Sequence, residues 1–100
     1  SWNALLELLI EGLIAASNIN DAMNEDFPEN TDRGVKKVTH GERGAGFLYG
    51  PKAPCVIIEP FFGSNPDEWK AFGETETTFN ALAKTLARGI SITLSYSKPY

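Results

Sequence analysis

One hundred residues, 42% of them hydrophobic, hold apolar side chain for one core, so the chain reads as a single domain spanning 1–100. Nine Lys+Arg against thirteen Asp+Glu leave a net charge of −4, which argues against a nucleic-acid binder, since neutralising phosphates takes a broad basic surface. One cysteine and one histidine exclude an internal disulfide and a Cys/His structural zinc site.

Residues 2 to about 24 read as one long amphipathic helix. Trp2, Leu5, Leu6, Leu9, Leu13 and Ile14 recur at spacings of three and four, and Asn3, Glu7, Glu11 and Asn18 follow a second stripe. Leu8 and Ile10 widen the apolar arc beyond what one packing surface needs, so part of this helix is deeply buried or shared with another chain. Gly12 weakens it by about 1 kcal/mol relative to Ala, and the close approach of a neighbouring backbone is one reason to keep a glycine there. No basic leader precedes the stretch from Leu5 to Ile14, and Glu7 and Glu11 interrupt it, so neither a secretory h-region nor a membrane span is expected.

"NEDFPENTDRG" follows as a polar loop punctuated by Pro28 and Gly34. Its carboxylates Glu25, Asp26, Glu29 and Asp32 miss the EF-hand register, so no calcium site is assigned. Arg33, Lys36, Lys37, Arg43 and Lys52 gather in the middle third and form at most a local basic patch.

From Val35 the pattern predicts strands: "VKKVTH", then "GFLYG", then "PCVIIEP", with "GERGAG" as the hairpin connection between the first two. "SNPDEW" opens a short helix, capped by Ser64 or Asn65, with Pro66 in its first turn and Asp67 and Glu68 complementing the dipole. A second long helix is predicted from about Thr75 to Arg88, with Phe79, Leu82, Ala83 and Leu86 as its buried stripe and Gly89 as its C-terminal cap. "ISITLSY" alternates Ile90, Ile92, Leu94 and Tyr96 with Ser91, Thr93 and Ser95, the period of a half-buried strand. The predicted fold class is therefore α+β: a long N-terminal helix, a central β-hairpin and strand, a second long helix and a C-terminal strand, with helices on one face of a mainly antiparallel sheet.

No catalytic set is visible. Gly41, Gly44 and Gly46 match neither the dinucleotide fingerprint nor the P-loop, and a phosphate cradle requires a helix directly after the loop, where "FLYG" reads as strand. His40, Glu42 and Arg43 are neighbours on a hairpin tip, and nothing in the spacing brings His40 beside Cys55 as a base for a nucleophile. Cys55 reads as a small buried hydrophobe, and its single thiol fits a reducing compartment such as the cytoplasm. No cofactor or metal is expected. Phe61, Phe62, Trp69 and Phe72 are either a satellite core or an interface anchor, because aromatics are enriched at interfaces. The interface candidates are Trp2, Leu8 and Ile10 on the opening helix, Arg43 on the tip, those four aromatics, and Tyr96 and Tyr100 at the end.

The helix "ALLELLIEGLIAA", the strand "APCVIIEP" running to a glycine loop, and the late helix followed by "ISITLSY" resemble, in their order, the small head–tail completion proteins of tailed bacteriophages, which include tail terminators and neck subunits. That resemblance implies a non-enzymatic, ring-forming virion subunit, a homo-oligomer in contact with other subunits and not with a membrane. Two further classes are a small inhibitor or adaptor of one host protein and a small-ligand binder using residues 40–50.

Overall fold

A computed structural model describes residues 2–29, 34–36, 38, 41–50, 52–61 and 64–95, with side chains in the first helix described from Ile10 onward. Among these residues four helices form and no strand does: α1 Trp2–Asp26, α2 Ala45–Tyr49, α3 Pro66–Phe72 and α4 Glu76–Ser95. The α+β prediction is thus corrected to an all-helical fold, and no antiparallel sheet is present among the described residues.

The framework is an antiparallel pair. Asp26 meets Thr85, Ile19 meets Gly89 and Asn18 meets Thr93, so α4 runs back along α1. Small side chains line this contact: Ala22, Thr85 and Gly89 are buried, along with Ile19 and Leu82. A Cβ placed on Gly89 would stand 2.6 Å from Ile19 Cα, so only glycine lets the two backbones pass at this depth. Gly89 is therefore a crossing point inside α4 and not its C-cap. Gly12 works similarly, with the Cys55 carbonyl oxygen 3.2 Å from where its Cβ would be.

The terminal strand is likewise overturned, because residues 90–95 continue α4. The Thr93 hydroxyl donates to the Gly89 carbonyl at 2.9 Å, which satisfies its proton within the helix, while the buried Thr85 hydroxyl, 3.1 Å from the Ala81 carbonyl, also reaches across to α1. The buried stripe also differs from the predicted one. Leu82, Thr85 and Gly89 are inside, whereas Phe79 is 55% exposed, Ala83 is exposed and Leu86 is half-buried.

The predicted hairpin is absent too. "GFLYG" forms α2, entered from Gly44 at φ 89°, and Tyr49 Oη donates a hydrogen bond to the Val38 carbonyl. Residues 54–61 form neither helix nor strand, in keeping with Pro54 and Pro60, which offer no N–H to a ladder. Ile57 Cδ1 lies 3.1 Å from the Cβ position of Gly44, which brings this segment against the entry of α2.

Local predictions fare better at α3. Asn65 Oδ1 accepts from the Asp67 and Glu68 N–H groups at 3.1 and 3.2 Å, and Pro66 occupies the first turn. Helix α4 starts with a reciprocal cap, since Thr75 Oγ1 accepts from the Thr78 N–H at 3.1 Å and Thr78 Oγ1 donates to the Thr75 carbonyl at 2.9 Å.

Candidate interaction surface

The aromatic cluster joins the end of α1 to α3. Phe72 is 2% exposed, with Phe27 edge-on at 4.9 Å and Phe61 stacked at 5.6 Å. Phe72, an interface candidate by sequence, is therefore the centre of a satellite core. Phe61 is half-buried beside it, and Trp69, 6.5 Å from Phe61, remains 46% exposed. Phe62, Tyr96 and Tyr100 lie outside the described residues, and Trp2 and Leu8 are on α1 at positions whose side chains are not described. Arg43 is exposed beside α2, and Ile10 is 56% exposed on α1.

Between α1 and α4 lies an open cleft lined by Glu25, Asp26, Phe27, Ala81, Lys84, Thr85 and Arg88. Its polar groups bind one another. Arg88 Nη1 donates to both Asp26 carboxylate oxygens at 2.9 and 2.8 Å, and Nη2 donates to Glu25 Oε2 at 3.2 Å and to the Ala22 carbonyl at 3.1 Å. Thr85 Oγ1 stands 2.6 Å from Asp26 Oδ2, the strongest acceptor within its reach. These bonds, from Thr85 first and Arg88 second, hold the Asp26 carboxyl below its ordinary value, while the carboxylate raises the Arg88 guanidinium above its own. The cluster is a clamp between the two long helices. Sequence reasoning missed it because residues 26 and 88 are brought together only by the antiparallel pairing.

The glycine-rich loop is followed by a helix, α2, and not by the predicted strand. Yet α2 is five residues long, Ala45 is buried, and its N–H already donates to the Glu42 carbonyl at 3.1 Å. His40 lies outside the described residues, and Cys55 is half-buried in the irregular segment before α3. Among the described residues no cluster of three His, Cys, Asp or Glu is placed to hold a metal, and no helix is long and apolar enough to cross a membrane.

What the fold leaves open is apolar helix surface. At about 100° per residue, Ile10, Leu13 and Ile14 fall on the side of α1 turned away from Ile19 and Ala22, and they are 56, 54 and 45% exposed. On α4 a second stripe, beside the buried one, carries Phe79, Ile90 and Leu94 at 55, 45 and 66%. No protein-family model, curated protein or solved structure matches the chain. The stripe on α4 was legible as continued spacing of three and four from Phe79 through Leu94, had Gly89 not been read as the end of the helix.

Proposed function

We propose that this chain is a small non-enzymatic interaction module that associates with copies of itself and with neighbouring proteins through the open faces of its two long helices. The observation that carries this reading is the surface itself. Among the described residues, Ile10, Leu13 and Ile14 on α1 and Phe79, Ile90 and Leu94 on α4 are each between 45 and 66% exposed, and large hydrophobics gathered on one open helix face are the kind of surface that a protein partner covers. The narrower likeness to phage head–tail completion proteins depended on strands at 54–60 and 90–96. With 90–95 helical and 54–60 unpaired, the proposal does not extend to a virion.

The test is native mass by light scattering after size exclusion, over a thousandfold range of protein concentration. The expected result is a mass that rises with concentration above that of one chain. A strict monomer throughout would sink self-association and favour an adaptor that uses these faces for a different partner.

A further inference from the structure

The exposed stripe of α4 reads the same in both directions. Phe79, Ala83, Leu86, Ala87, Ile90 and Leu94 lie symmetrically about the point between residues 86 and 87. Laid antiparallel on a second copy about that point, Phe79 comes level with Leu94, Ala83 with Ile90, and Leu86 with Ala87. At every level but the ends a small side chain meets a large one, so two helices can approach closely without overlap. No charged residue lies within this stripe: Arg88 is turned to the clamp, and Lys84 projects beside the cleft. A two-fold pairing therefore brings no like charges together.

We infer that α4 forms a two-fold antiparallel contact with α4 of a second copy of this chain, its axis passing between Leu86 and Ala87. This rests on the self-association proposed above and specifies its surface and register. A large side chain offers on the order of 200 Å² when fully open. The half-open Phe79, Ile90 and Leu94, with the small residues between them, thus present roughly 400 Å² of side chain per copy. Pairing two such faces covers about 800 Å² in all, below the roughly 1,000 Å² that a stable specific interface clears, so the dimer is weak and transient and forms only with concentration.

Three single-cysteine variants in a Cys55→Ser background test the register: Ala83→Cys, Ala87→Cys and Leu94→Cys. With a rise of about 1.5 Å per residue, the two copies of position 87 are offset along the helices by about 1.5 Å, those of 83 by about 10 Å, and those of 94 by about 22 Å. A disulfide tolerates Cα separations of about 4.4–6.8 Å. Mild oxidation should therefore link Ala87→Cys into a covalent dimer and leave the other two uncoupled. In parallel, Ile90→Asp should raise the dimer dissociation constant by about thirtyfold or more, as loss of a central anchor does, with far-UV circular dichroism unchanged. If the wild-type protein self-associates but all three cysteines couple alike, or Ile90→Asp has no effect, the α4 pairing is overturned while the interaction-module reading stands. If the wild-type protein is monomeric at every concentration, the α4 pairing and self-association fall together and the adaptor reading remains.

Discussion

A carboxylate at the C-terminal end of a helix faces the negative pole of the helix dipole, and α1 ends in Glu25 and Asp26 with no basic residue in its last turn. Arg88 of α4 supplies the missing cation, and its second nitrogen also takes up the Ala22 carbonyl. Because Asp26 is held below its ordinary value of 3.8, the unfolded chain takes up its proton first as pH falls. The clamp's contribution is therefore fully present above that value and is lost as pH falls through and below it. Thermal unfolding from pH 7 to pH 2 checks this against Asp26→Asn. Wild type should be the more stable by a constant margin above about pH 5, and the margin should shrink progressively below pH 4. A margin independent of pH would show that the carboxylate's charge does not hold the clamp.

Helix α4 shows how a local signal is overridden. Ile90, Ile92 and Leu94 alternate with Ser91, Thr93 and Ser95, and β-branched residues suit strands. The same residues also fit a helix: Gly89 and Thr93 turn toward α1, and Ile90 and Leu94 turn to the open side. Extending a helix already formed needs no new nucleus, so strand preferences worth a fraction of a kcal/mol per residue are readily outweighed by packing against α1. Gly89 misled because a glycine after a periodic run is the usual mark of a helix end, whereas here it answers to the backbone of Ile19. Where the signal was a side chain acting on its own backbone, as at Asn65 and Pro66, the sequence was readable. Where it depended on a distant helix, as for Gly89 or the Asp26–Arg88 clamp, it was not. Gly89→Ala tests this point. Alanine favours a helix over glycine by about 1 kcal/mol, but the added methyl meets backbone that cannot swing aside, and overpacking of that kind costs about 1–3 kcal/mol. The expected net effect is a loss of up to about 2 kcal/mol, read as a lower urea midpoint with an unchanged slope. Gly46→Ala is the control: its Cβ would meet nothing within 4 Å, so its stability should hold or rise by up to about 1 kcal/mol. If Gly89→Ala stabilised the protein as Gly46→Ala does, the close crossing of α1 and α4 would be wrong.

The chain as a whole is spread out for its length, with a radius of gyration of 15.0 Å against about 13 Å for a compact domain of 100 residues. Its buried hydrophobic residues are few among those described: Ile19, Ala22, Ala45, Phe72 and Leu82. Two apolar faces remain, on different helices and pointing in different directions, and this has a consequence for assembly. A chain with one self-complementary face stops at a dimer, whereas a chain with two continues into an open string of copies. If α4 joins copies in pairs, the Ile10, Leu13 and Ile14 face of α1 stays on the outside of each pair. Sedimentation velocity at high concentration separates the two faces. The wild-type protein should show species beyond the dimer, and Leu13→Lys should remove those species while leaving the dimer constant within about twofold, since the sites are far enough apart to act independently. Should Leu13→Lys abolish the dimer as well, the two faces belong to one continuous interface, and the string of copies gives way to a single closed pair.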